Sequence, residues 1–154
     1  MEGMKEGLEL RDFTLIDQNK EKFTLSRFVG RKVLLSFHPL AWTVICSEQM
    51  VSLEEHWSDF MALNSIALGV SVDTVPSKKA WANSLGIERT KLLSDFWPHG
   101  EVSSMFGVFR EADGFSERAN LIVDEEGRLV FSKIYPIKEL PDIGEVLGVL
   151  KGFP

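Results

Sequence analysis

KVLLSFHPLAWTVIC, Lys32 to Cys46, is the stretch in which the apolar pattern of the chain changes period. Lys32–Phe37 is leucine-rich and β-branched, and short enough for a buried strand. From Thr43 to about Leu63 the spacing becomes helical: Met50, Leu53, Trp57, Phe60 and Met61 recur at intervals of three and four. Glu48, Glu54, Glu55 and Asp59 fall between them. That is an amphipathic helix. A buried strand therefore runs through a proline-bent loop into a helix, and Cys46, the only cysteine of the chain, sits in the first turn of that helix. Free backbone N–H groups and the helix macrodipole favour an anion there, and a thiol so placed becomes a nucleophile at neutral pH. Thr43 lies three residues earlier, where its hydroxyl can reach the same helical face as the sulfur. Pro39 stiffens the approaching loop and contributes no N–H.

The pattern outward from this junction is that of an α/β domain. Asp12–Asp17 and Lys22–Phe28 alternate around a polar turn, Gln18–Lys20, and predict an N-terminal hairpin. Ile66–Val72 reads as a second buried strand. A helix should begin at Pro76 and stop at Gly86, as proline at a helix start and glycine past its end imply. Lys91–Ser94 reads as a short strand and Gly100–Phe106 as a short helix. Ala119–Asp124 and Leu129–Ile134 flank the turn Glu125–Gly127 and form a hairpin. Lys138–Leu150 closes the chain as a helix, with Pro141 tolerable only in its first turn. Alternating strands and helices, then a hairpin and a helix, suit a central mixed sheet flanked by helices.

Composition narrows the functions. The 154 residues fit one domain, 1–154, with no repeat or linker to divide it. A net charge of −6 disfavours nucleic acid and anionic membranes. Met1–Leu10 is charged and lacks the apolar core of a secretory signal. Runs such as Ile66–Val70 are too short to span a bilayer. A cytoplasmic location is expected. One cysteine excludes an intramolecular disulfide and a zinc site built from cysteine pairs. The histidines and carboxylates show no metal-ligand spacing, so neither metal nor cofactor is expected.

Pro39, Thr43 and Cys46 match the P-x-x-x-T-x-x-C signature of the peroxiredoxins, at the strand-to-helix junction where that family carries it. Arg118-Ala119-Asn120-Leu121-Ile122-Val123-Asp124 resembles the family's arginine before a strand that ends in aspartate. Leu92 to Val102 also resembles a peroxiredoxin loop and helix. The similarity runs from about Leu8 to Tyr135, and the chain is identified as a one-cysteine member of the alkyl hydroperoxide reductase and thiol-specific antioxidant type. The resemblance implies a thioredoxin-like fold and reduction of hydrogen peroxide or organic hydroperoxides by the Cys46 thiolate. It also implies Thr43, Arg118 and Pro39 as catalytic partners, with Gln49, Phe37 and Trp42 shaping the pocket. Many members carry a glutamate three residues after the cysteine. Here that position is Gln49, which can orient Arg118 by hydrogen bonds but brings no charge.

The chemistry requires more than an ionised thiol. Lowering a thiol pKa from ~8.5 to ~6 raises the thiolate fraction at pH 7 roughly thirty-fold. Intrinsic nucleophilicity falls roughly ten-fold over the same interval. The remaining acceleration must come from donors aimed at the breaking O–O bond, a role the resemblance gives to Thr43, Arg118 and the Cys46 amide. The product is a sulfenic acid. With no second cysteine, an external thiol must recycle it: thioredoxin, glutaredoxin or a low-molecular-weight thiol. Trp42, Phe96, Trp97, Phe106 and Phe109 fall in loops that the family places near the site, where homodimers often form. The alternatives are a buried structural cysteine, a Cys–His hydrolase using His38, and a redox sensor or partner-binding module on the same fold. A disulfide reductase fails because it needs a C-x-x-C pair.

Overall fold

The β-branched, leucine-rich runs pair as the centre of a seven-stranded mixed sheet in the computed structural model, which describes residues 11–152. The Met1–Leu10 segment lies outside the described residues. The sheet contains β1 (Thr14–Ile16), β2 (Lys22–Thr24), β3 (Lys32–Phe37), β4 (Ser65–Ser71) and β5 (Lys91–Ser94). Its strand order is β2-β1-β5-β4-β3, continuing to two strands described below as β8 (Arg118–Val123) and β9 (Leu129–Tyr135). Strands β3, β4 and β5 are parallel, and β8 joins β3 antiparallel. Both β3 and β8 are buried along their whole length, as strands covered on both faces must be.

Helices α1 (Val44–Glu55) and α2 (Trp57–Ala62) follow β3, and α3 (Val75–Leu85) follows β4. The chain then makes α4 (Glu101–Met105), a small hairpin of β6 (Phe109–Arg110) and β7 (Phe115–Ser116), and finally α5 (Ile143–Lys151). Alternation along the central strands divides the core. Val33, Leu35 and Phe37 pack with Phe13, Phe23 and Phe106, whereas Leu34 packs with Cys46, Met50, Trp81 and Val146. The second set contains the helical cover of α1, α3 and α5. Gly69 lets α1 approach β4: a Cβ there would stand 2.3 Å from Met50 Sδ and 3.2 Å from His38 Cε1.

Three boundaries differ from the sequence reading. The segment Leu25–Phe28 is a 3₁₀ turn rather than the end of a strand. The long helix is two, broken at His56 (φ −102°, ψ 15°), whose Nδ1 lies 2.9 Å from the Ser52 carbonyl. Phe60, on the second of the two helices, lies in the core. The closing helix starts at Ile143, past Pro141, where the Asp142 carboxylate caps the Gly144 amide at 2.9 Å. The two-residue strands β6 and β7 are too short to leave a periodic signature.

Candidate active site

Cys46 is the third residue of α1. The first helical hydrogen bond runs from the Ser47 amide to the Thr43 carbonyl, at 2.9 Å, so the amides of Val44, Ile45 and Cys46 precede any i−4 acceptor. The Thr43 backbone is extended (φ −84°, ψ 155°), as an N-cap requires. Its hydroxyl, however, donates to the Leu40 carbonyl at 2.8 Å and lies on the exposed side of the turn. The hydroxyl proton is thus committed to the Leu40 carbonyl. Pro39 is buried in the bend between β3 and α1. The Cys46 side chain is fully enclosed.

Sheet register brings Arg118 to the sulfur from 72 positions away. Ala119 pairs with Phe37, so Arg118 opens β8 beside the loop that β3 feeds. Its Nη1 donates to Cys46 Sγ at 3.3 Å and to Gln49 Oε1 at 2.8 Å, while Nε donates to the Ile137 carbonyl at 2.9 Å. Arg118 is 3% exposed. Three acceptors thus hold one buried cation in place, and one of them is the sulfur.

Gln49 is oriented in turn. Its Nε2 donates to the Ser36 hydroxyl at 2.7 Å and to the Phe37 carbonyl at 3.1 Å. Ser36 donates to Asn120 Oδ1 at 2.7 Å, the Asn120 amide donates to the Tyr135 hydroxyl at 3.4 Å, and that hydroxyl donates to Glu145. Arginine only donates and an ionised carboxylate only accepts, so the two ends of the chain impose one sense on every bond between them. Sequence reasoning missed Ser36, Asn120 and Tyr135. A signal was present, since Ser36 and Asn120 are polar residues inside the buried strands β3 and β8.

Phe37 reaches the site through its backbone alone. The Phe37 ring lies on the other face of the sheet, 5.9 Å from Phe106, and only its carbonyl reaches the site, through Gln49. Strand alternation turns it away from Ser36. Trp42 has a left-handed backbone (φ 74°), is 54% exposed, and donates from Nε1 to Ser77 Oγ at 3.0 Å. Trp97 is 80% and Phe96 46% exposed, whereas Phe106 is core.

A second polar pair, His38 after β3 and Lys78 of α3, is buried in the interior. His38 and Lys78 are both fully buried, with Lys78 Nζ 3.4 Å from His38 Nε2. Burial first, then the adjacent ammonium, holds the His38 imidazole well below its usual range. An enclosed imidazole that resists protonation is a poor general base for a Cys–His hydrolase. Burial pushes the Lys78 amine down to about 7, against the raising influence of Asp73, Cys46 and Asp95. Sequence reasoning passed over Lys78, although Val75, Lys78, Ala82 and Leu85 share a stripe at helical spacing.

Residues 7–132 match the AhpC/TSA family. The chain belongs to that family. Within it, alkyl hydroperoxide reductase E of Mycobacterium tuberculosis (strain ATCC 25618 / H37Rv) is 42% identical over 137 residues, covering 88% of this chain and 89% of the relative. Peroxiredoxin 2 of Thermoplasma acidophilum is 31% identical over 150 residues, 94% of this chain and 74% of the relative. The crystal structure of Enterococcus faecalis AhpC superposes with a TM-score of 0.87 at 26% identity, over 95% of this chain and 90% of that one. This peroxiredoxin has the thioredoxin-like mixed α/β fold of the family and is a peroxidase-type oxidoreductase. Its single cysteine fits the one-cysteine type. Among the described residues, no helix is long and apolar enough to cross a membrane.

Proposed function

We propose that this peroxiredoxin reduces hydrogen peroxide or organic hydroperoxides through Cys46 alone and is recycled by an external thiol. The observation that carries the reading is the Arg118 guanidinium, 3.3 Å from Cys46 Sγ and locked by Gln49 and Ile137. The thiolate attacks one peroxide oxygen. The S–O bond forms as the O–O bond breaks, and the leaving oxygen departs as an alkoxide or hydroxide that takes a proton from solvent. Arg118 offers a rigid fork of donors to the charge that moves from sulfur to oxygen. Thr43 and the Cys46 amide join it once peroxide enters, and the Thr43 hydroxyl then exchanges the Leu40 carbonyl for a peroxide oxygen. Pro39 holds the loop, Gln49 positions the arginine, and Trp42 guards the entrance.

The sulfenic acid condenses with an external thiol, releasing water and leaving a mixed disulfide. A second thiol equivalent reduces that disulfide and restores Cys46. Because the sulfur is enclosed, a bulky reductant needs the first turn of α1 to open. Thioredoxin, glutaredoxin and a low-molecular-weight thiol all satisfy this chemistry. The exposed faces of Trp42, Phe96 and Trp97 beside the site support a homodimer. The whole chain, 1–154, acts as one domain, and its need for reducing thiols suits the cytoplasm.

The test is direct. Reduced protein should consume one equivalent of hydrogen peroxide rapidly, gain one oxygen on Cys46, and accept one small thiol as a mixed disulfide. The Cys46→Ser variant should do none of this. Slow consumption unrelated to Cys46 would leave a binding or sensing module in place of an enzyme. A monomeric mass in solution would remove the dimer.

A further inference from the structure

The surroundings of Gln49 fit an amide and oppose a carboxylate. Its Nε2 faces two oxygens, the Ser36 hydroxyl at 2.7 Å and the Phe37 carbonyl at 3.1 Å, while its Oε1 faces the Arg118 guanidinium at 2.8 Å. A carbonyl only accepts and a guanidinium only donates, so the group between them must donate on one side and accept on the other. A carboxylate at position 49 would satisfy the arginine but would set an oxygen against the Phe37 carbonyl.

The sheet extends this polarity away from the site. Ser36 pairs with Asn120 across β3 and β8, and Arg118 pairs with Tyr135 across β8 and β9. Residues two apart on a strand share a face, so these four side chains lie on the face that carries Leu34 and packs against α1 and α5. With Gln49, all are buried. The Ser36 oxygen accepts from Gln49, so its own proton goes to Asn120 Oδ1 at 2.7 Å. Asn120 then has only hydrogens to offer Tyr135, at 3.4 Å, and Tyr135 must send its proton outward to Glu145 on α5. Lys133 Nζ, 2.7 Å from the other oxygen of that carboxylate, holds it in the acceptor-only form. Among the described residues, no buried side-chain nitrogen or oxygen lacks a partner. A network filled in this way cannot reverse one amide without setting donor against donor.

Resting on the peroxidase reading above, we propose that Glu145 is a remote positioning residue for Arg118: through Tyr135, Asn120 and Ser36 it fixes the sense in which residue 49 meets the guanidinium, so that the amide at 49 and the carboxylate at 145 are a matched pair. Without an acceptor at 145, Tyr135 is free to turn its proton inward. Asn120 then reverses, Ser36 donates toward Gln49, and the hydroxyl no longer holds Nε2. The Phe37 carbonyl is left to restrain the amide alone, and the partner that steadies Arg118 from α1 loosens.

Exchanging the two ends tests the matched pair. Gln49→Glu removes the donor at the arginine end and should lower Tm by about 4–10 °C. Glu145→Gln alone loses the ion pair with Lys133 and should lower Tm by about 1–3 °C. Added to Gln49→Glu, the same Glu145→Gln supplies a donor at the far end, lets every bond between reverse, and should raise Tm by about 2–5 °C. Additive changes in Tm overturn the proposal. Positioning is read from the NMR resonance of the Arg118 Nε–H, which donates to the Ile137 carbonyl at 2.9 Å, assigned by its loss in Arg118→Lys. In full-length reduced protein it should stay in place in Glu145→Gln and shift in Glu145→Leu, whose side chain cannot accept. A resonance indifferent to Glu145→Leu overturns the positioning role, even if Gln49→Glu fails to fold. Neither measurement uses peroxide, so their failure is distinct from an absence of Cys46-dependent peroxide consumption. Where that consumption is present, its rate per thiolate should fall about three- to ten-fold in Glu145→Leu, and an unchanged rate overturns the positioning role as well.

Discussion

Replacing Arg118 by methionine is the sharpest test of how the rate is generated. Methionine roughly fills the volume of the buried side chain but removes the donor 3.3 Å from Cys46 Sγ and its anchors on Gln49 and Ile137. Two effects are expected, and pH separates them. Loss of the cation makes the thiol harder to ionise, a deficit that disappears once the pH exceeds the variant's own thiol midpoint. Loss of a donor to the breaking O–O bond persists at every pH. By analogy with removal of a single oxyanion-hole donor, the second effect is about 10²–10³-fold, or about 3–4 kcal/mol of transition-state stabilisation. The assay is stopped-flow tryptophan fluorescence of the reduced protein against hydrogen peroxide from pH 6 to 10, with thiolate fraction measured in parallel by absorbance. Arg118→Lys, which keeps a charge but loses the fork, should fall between the two. If the rate per thiolate in Arg118→Met stays within about three-fold of the parent, the guanidinium acts only by ionising sulfur and the reasoning is wrong.

Three further outcomes are expected. Gly69→Ala should destabilise the fold by about 1–3 kcal/mol by overpacking, because its methyl would meet Met50, Leu92 and His38 together; an unchanged denaturation midpoint would show that α1 has room to move. Tyr135→Phe should cost about 1–2 kcal/mol at pH 7 by removing the hydroxyl donated to Glu145. Lys133 first and Tyr135 second hold the Glu145 carboxyl below its usual range. That stabilisation is present above the unfolded carboxyl value and disappears as pH falls through the folded one, so the variant and parent should converge in acid. Lys78 shifts stability in the same direction with pH, but through the penalty that burial imposes on its charged form. Its amine is depressed to about 7 from 10.5, so above pH 7 the unfolded chain binds the extra proton and stability rises with pH. Urea denaturation should gain about 2–3 kcal/mol between pH 7 and 9 from this group, a gain that Lys78→Met abolishes.

The local order of this protein was legible in its residues. Lys32–Phe37 is β3, and a proline loop does deliver Cys46 to the start of a helix, because apolar period and helix-start chemistry act within a few residues. Gly86 closes α3 with a left-handed turn (φ 72°) at the position its residue type implied. The departure at Gln49 was also visible, together with the hydrogen bonds open to an amide there.

Long-range pairing decided the rest. That Arg118 touches Cys46 depends on β8 lying antiparallel to β3 with Ala119 opposite Phe37, a register that no local pattern specifies. The same register sends the Phe37 ring away from the site and lines up Ser36 with Asn120. The direction of the Thr43 hydroxyl came from competition with the Leu40 carbonyl, and the burial of Lys78 from the packing of α3 against α1. Periodicity reports which face of an element is apolar. Which charges meet beneath that face is settled only when distant segments pack and exclude water.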